Sequence, residues 1–203
     1  MIKTIIFDFG NVFINLDING AINETYESLE ITEFSEEIIA YNSFYEQGLI
    51  STDEFLEFYS ENFPKLSQEE LIDIWNLILK DFPMKRLDFL KELKTASKYK
   101  LILLSNTNEL HIHWIKENVS FYEDFKNCFD EFYLSHEIHL KKPSPTIFEF
   151  VLNENNLNAN ECLFIDDNKD NIETANNLNF KTWHINPEEE DIINLFETKS
   201  NLF

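Results

Sequence analysis

Three short stretches end in residues able to do chemistry together. TIIFDFGNVF (4–13) carries Asp8 just after an apolar run, and ECLFIDD (161–167) ends a second run in the adjacent acids Asp166 and Asp167. KLILLSN (100–106) ends a third in Ser105 and Asn106. Two like charges about 4 Å apart repel by roughly 4 kcal/mol at an effective dielectric near 20. Three carboxylates meeting at neighbouring strand ends therefore require a cation, and Mg²⁺ suits an all-oxygen set. Lys142, in HLKKPSP, is the mobile counter-charge, with its neighbour Lys141 a rival that spacing alone does not exclude. The Ser105 hydroxyl and the backbone N–H of Asn106 offer donors for a tetrahedral anion. Taken singly, each has a plain structural reading as a turn former, a cap or a solvated charge. Their shared placement at strand ends is the functional signal.

The elements that must position these groups are legible as apolar runs. Residues 4–9, 100–106, 131–135, 161–167 and 181–186 are rich in Ile, Leu, Phe and Tyr. Several lack alternation, as strands covered on both faces do. Helical segments separate them, which predicts an α/β fold with a doubly wound parallel sheet. In such sheets the ligand lies outside the carboxyl ends of the strands. Ser51 with Glu54 and Ser67 with Glu70 read as capping boxes. Ser144-Pro145 and Asn186-Pro187 read as N-caps with proline at the first helical position, and Gly48 as a glycine ending a helix.

The gap between the first two strands is far longer than one crossover needs. Helical patterns fall near 18–30, 36–46, 52–63 and 68–80, and 87–100 supplies the crossover helix. Residues 1–14 and 85–203 are thus expected to form the core, and 15–84 an inserted α-helical domain over the strand ends. Phe55, Phe58, Tyr59 and Phe63 stand at helical spacing and are expected to build the core of that insertion.

Composition bounds the partners. A formal net charge of −22 over 203 residues excludes a broad phosphate-binding surface, so no nucleic acid partner is expected. An anionic ligand must instead be held by a metal, a lysine or backbone N–H groups. With 43% hydrophobic and 15% aromatic residues the chain is not disordered. Cys128 and Cys162 lack metal-like spacing and read as reduced thiols. The first apolar stretch is too short for a signal peptide, and no run reaches the length of a membrane span. A soluble cytoplasmic protein, monomer or homodimer, is expected.

Four stretches in order, IIFDFGNV, LILLSNTN, KKPSPTIF and LFIDDNKDN, make the chain resemble the haloacid dehalogenase (HAD) superfamily over nearly its whole length. The long insertion after the first motif resembles that family's helical cap, class C1. The resemblance implies a Mg²⁺-dependent phosphatase of a small phosphorylated metabolite. Asp8 would be the nucleophile and form an aspartyl-phosphate intermediate. Asp8, Asp167 and the Gly10 backbone carbonyl would hold the metal, with Asp166 directly or indirectly engaged. Ser105, Asn106 and Lys142 would hold the phosphoryl group.

One position departs from the pattern. Typical phosphatases of the family carry Asp-x-Asp, the second acid serving as general acid and base, whereas here that place is Gly10. Asp-x-Gly-Asn-Val, with YEQGLIS and SNTNELH, resembles a branch that includes bacterial sugar-phosphate phosphatases. Losing a general acid costs about 10²–10⁴ in rate. The substrate then has a good leaving group, or Glu46 or a water replaces the acid, or the protein is a catalytically weak phospho-ligand binder. A 2-haloacid dehalogenase is the alternative enzyme, although such enzymes need no metal. His111 is either structural or lines the site, and Asp170 and Asn171 are expected to stabilise the loop after the fourth strand.

Overall fold

A computed structural model describes residues 1–203. In chain order, β1 (Thr4–Phe7) is followed by four helices, α1 (Ile18–Leu29), α2 (Glu36–Glu46), α3 (Thr52–Asn62) and α4 (Gln68–Asn76). Then come α5 (Met84–Ala96), β2 (Lys100–Ser105), α6 (Glu109–Asn118), α7 (Tyr122–Lys126) and β3 (Glu131–Leu134). The chain closes with α8 (Ser135–Ile138), α9 (Pro145–Glu154), β4 (Cys162–Asp166), α10 (Lys169–Asn177), β5 (Lys181–His184) and α11 (Leu195–Thr198).

The five strands pair in parallel in the order β3-β2-β1-β4-β5. The period of two along each strand explains the two cores. Ile5, Phe7, Leu101, Leu103, Leu163 and Ile165 face one side, whereas Ile6, Ile102, Leu104, Phe164 and Cys162 face the other. Both faces are covered, as the unbroken apolar runs require. Registry decides the rest: Phe7 lies opposite both Leu103 and Ile165, so Asp8 follows β1 level with Asp166 on β4, and Ser105 ends β2 one residue further on.

The helices between β1 and α5 bury a third cluster of their own, including Tyr45, Phe55, Phe58, Tyr59 and Leu71, with Phe63 packed against it. Ser51 and Ser67 each form the expected capping box, and Gly48 follows α2 at φ +62°. A side chain at Gly48 would strike the His136 carbonyl, so this corner admits only glycine.

Two expectations are corrected. The helix expected near 68–80 stops at Asn76, because the next residues pair instead with the entry segment: Asp17 N–H donates to the Ile78 carbonyl and Lys80 N–H to the Asn15 carbonyl. Asn186-Pro187 begins a turn, not a helix. The Asn186 N–H and Trp183 Nε1 both donate to the Glu190 carboxylate, which folds 186–190 back on itself.

Candidate active site

Asp8 and Asp166–Asp167 leave the sheet at the ends of the central neighbours β1 and β4, and one carboxylate oxygen from each of the three lies within 4.8 Å of the others. Lys142 arrives from the segment before α9 and sits among them, 1% exposed, its Nζ 2.8 Å from Asp8 Oδ1 and 2.6 Å from Asp166 Oδ2. The side chains of residues 8, 142, 166 and 167 thus meet in one place. Lys141 does not join them. Its Nζ pairs with Glu46 Oε2 at 2.5 Å, which decides between the two lysines.

The two adjacent acids have different surroundings. Asp166 is fully buried and accepts from Lys142 Nζ, from the Asn168 N–H at 2.8 Å and from Asn171 Nδ2 at 3.0 and 3.1 Å. Asp167 is half-buried and accepts one side-chain bond, from Asn11 Nδ2 at 2.8 Å. Asn11 reaches it from a left-handed conformation, φ 54°, which asparagine tolerates better than most residues. Its Oδ1 meanwhile accepts the Leu16 N–H, so one side chain holds both the β1 loop and the end of β4.

Electrostatics follow from burial. Desolvation raises the Asp8 carboxyl to about 7; Lys142 opposes the shift, while Asp166 and Asp167 add to it. Burial likewise raises Asp167, relieved by Asn11. For Lys142 burial favours the neutral amine, but the two carboxylates outweigh it and its pKa moves up. One buried cation therefore leaves a compact set of three hard oxygen donors short of positive charge. That donor set fits Mg²⁺.

Ser105 lies 2% exposed at the end of β2, its hydroxyl weakly bonded to the Asn106 carbonyl at 3.4 Å. The Asn106 side chain is committed elsewhere: Nδ2 donates to the Lys142 carbonyl at 2.8 Å and Oδ1 accepts the Lys142 N–H at 2.9 Å. It clamps the lysine's backbone, so any role in holding an anion falls to its own N–H. At Gly10 the direction a side chain would take is occupied. A Cβ there would lie 2.7 Å from Leu16 Cδ1, so a side chain at this position requires the end of that leucine to shift.

His111 opens the first turn of α6. Its Nδ1 faces Asn108 Nδ2 and its Nε2 the Trp75 carbonyl, both at 3.1 Å, and burial lowers its pKa to about 4. It ties α6 to α4 as a neutral ring. Asn171 buttresses Asp166, whereas Asp170 takes part through its backbone N–H, bonded to Asn168 Oδ1. Residue-by-residue reading missed Asn168 and Ser135. Ser135 is fully buried at the end of β3, where its Oγ accepts the Thr107 N–H at 2.9 Å and meets the Glu46 carbonyl at 2.5 Å. Its signal was available: YLSH is also a polar residue at a strand end.

Residues 2–179 match the family model described as haloacid dehalogenase-like hydrolase. A D-ribitol-5-phosphate phosphatase from Bacteroides thetaiotaomicron is 29% identical over 191 residues, covering 90% of this chain and 91% of its own length. A HAD-family enzyme from the same organism, solved as a magnesium complex, is 34% identical with a TM-score of 0.84, covering 96% of this chain and 98% of that one. A HAD-like family hydrolase from Porphyromonas gingivalis is 27% identical with a TM-score of 0.82, each chain covered to 98%. On the ordered motifs, the fold and these likenesses together, the chain belongs to the haloacid dehalogenase-like hydrolase family.

Proposed function

We propose that this hydrolase is a Mg²⁺-dependent phosphatase of a small phosphorylated metabolite, a sugar or polyol phosphate. The observation that carries the reading is the buried meeting of Asp8, Asp166 and Asp167 with Lys142 at the carboxyl ends of β1 and β4. The relative named for D-ribitol 5-phosphate and the magnesium-bound relative support the substrate class and the ion. The free, buried Cys128 and Cys162 suit a reducing cytoplasm. Residues 15–84 act as the cap over a core of 1–14 and 85–203.

In this reading Asp8, Asp167 and the Gly10 carbonyl hold Mg²⁺. Asp166, whose oxygens already accept three protein donors, holds Lys142 in place behind them. The ion supplies positive charge to the phosphoryl oxygens. A carboxylate oxygen of Asp8 attacks phosphorus, and the bond from phosphorus to the ester oxygen breaks. The alcohol leaves with a proton from water, since Gly10 carries no acid. Water then attacks the aspartyl-phosphate, releasing inorganic phosphate and restoring Asp8. Lys142, Ser105 and the Asn106 N–H hold the phosphoryl group through both steps.

The test is phosphate release from a panel of phosphorylated metabolites and aryl phosphates, with Mg²⁺ and with EDTA. Turnover is expected only with Mg²⁺ and is lost by about 10⁴-fold or more in Asp8→Asn. Rates on aryl phosphates are expected to fall steeply as leaving-group pKa rises. Phosphate release that survives in Asp8→Asn overturns the nucleophile assignment, and turnover indifferent to EDTA overturns the metal assignment.

A further inference from the structure

The C-terminal end of α2 is gripped by the segment that carries Lys142. Ser135 Oγ meets the Glu46 carbonyl at 2.5 Å, and His139 Nδ1 donates to the Gln47 carbonyl at 3.0 Å. Lys141 Nζ completes the grip, 2.5 Å from Glu46 Oε2 and 3.4 Å from Ser43 Oγ. The chemistry of a helix end explains why a lysine stands here. The last turn of α2 holds no basic residue of its own, and its open carbonyls carry partial negative charge. Lys141 supplies the cation from 95 residues further along the chain.

The same segment is tied to the sheet. Ser135 Oγ accepts the Thr107 N–H at 2.9 Å, and Asn106 holds both the N–H and the carbonyl of Lys142. Lys141 and Lys142 share one turn, closed by the Ser144 N–H on the Lys141 carbonyl at 3.2 Å. Within that turn the two ammonium groups part, one going to the insertion and the other to Asp8 and Asp166. Any shift of α2 that pulls on Lys141 therefore reaches Lys142 through a single peptide unit. Misplacement by about 1 Å of a group that orients reacting atoms costs on the order of 10²-fold in rate.

We propose that Lys141 is a positioning residue: paired with Glu46, it couples the seating of the helical insertion to the placement of Lys142. The inference rests on the phosphatase reading above. Lys142 neutralises charge that develops on the phosphoryl group during transfer, so its displacement lowers kcat more than it raises KM. The loss is the same for esters of different alcohols, because Lys141 acts on the phosphoryl end.

The experiment measures kcat and KM for p-nitrophenyl phosphate and glycerol 3-phosphate, with Mg²⁺, in Lys141→Met, Glu46→Gln and the double variant. Each single variant is expected to lose at least about tenfold in kcat on both esters, with KM changed less than about threefold. The double variant is expected to lose no more than either single one, since partners in one interaction are not additive. Lys141→Arg, which keeps the charge, is expected to restore most of the loss. Hydrogen exchange of the Lys142 amide, followed by NMR, reports its seat without substrate and is expected to quicken in both single variants. A denaturant midpoint near that of the parent protein shows that each variant is folded. An unchanged kcat in Lys141→Met, a loss confined to one ester, losses that add in the double variant, or an amide that does not respond overturns the proposal. A parent protein that cleaves no phosphate ester, while the amide still responds to Lys141→Met, overturns the phosphatase reading and leaves the coupling intact.

Discussion

The strand-end cluster and the helical insertion solve opposite problems. At the strand ends four charged side chains meet, two of them almost wholly enclosed. Asp166 is fully buried and Lys142 1% exposed, and each is held by several named donors or acceptors. Such a cluster depends on its one buried cation, because an unpaired buried charge costs several kcal/mol. The insertion is held instead by aromatic packing. Tyr41 stacks on Phe58 at 3.8 Å between centroids, Tyr45 stacks on Phe55 at 4.1 Å, and Trp75 meets Phe55 edge-on. Non-directional packing tolerates substitution, whereas a charge lattice does not.

Removing the central cation tests the first half of that contrast most severely. Lys142→Met leaves Asp8 and Asp166 facing each other without a counter-charge, and is expected to cost about 4 kcal/mol of stability in EDTA. Urea unfolding measures it, and a loss under about 1 kcal/mol would mean that the cluster relaxes freely. Phe58→Ala probes the second half. It removes a ring that is 8% exposed in the insertion and is expected to cost about 3 kcal/mol there. Hydrogen exchange should show amides of α1–α4 losing protection while those of β1 and β4 keep theirs. If the sheet amides lose protection in step, the two regions are one cooperative unit and the contrast fails.

The smallest effect concerns pH, to which the regions respond with opposite sign. His111 is lowered from 6.5 to about 4, so the unfolded chain takes its proton first. Its contribution is complete above about 6.5 and is lost as pH falls toward 4. Asp8 is raised from 3.8 to about 7 without metal, so its contribution is present at low pH and lost as pH rises through that window. The difference in urea midpoint between pH 7 and pH 5, compared with that of His111→Gln, isolates the histidine. The parent protein is expected to lose on the order of 1 kcal/mol more than the variant on acidification. Equal changes would show that the ring takes no part in joining α6 to α4.

Much of the fold was legible because its signals are local. The apolar runs mark all five strands, the Ser-x-x-Glu pairs at 51–54 and 67–70 mark two helix starts, and Gly48 marks an end. Where reading by local pattern went wrong, a distant partner had intervened. Residues 77–80 continue a helical pattern but pair with 15–17, and Asn186-Pro187 has the composition of a helix start but is folded back by Glu190. The same distinction runs through the site. Asp8, Ser105, Lys142, Asp166 and Asp167 are visible as polar residues ending apolar runs or preceding a helix. The clamp by Asn106 on Lys142 joins distant segments and leaves no mark in spacing, whereas Ser135 and Asn168 stand at or just past strand ends, where a local signal existed.

By itself the chain determined which strands exist, that they lie in parallel, and which polar residues stand at their ends. These follow from periodicity and chain length, which act between near neighbours. Only the tertiary structure decided that Lys142 and not Lys141 enters the acid cluster, that Asp166 is the enclosed acid and Asp167 the more open one, and that Leu16 closes the space beside Gly10. Each of those outcomes depends on strand registry and on which side chains arrive from distant segments to share a few cubic ångströms, and pairwise spacing along the chain carries no information about that competition.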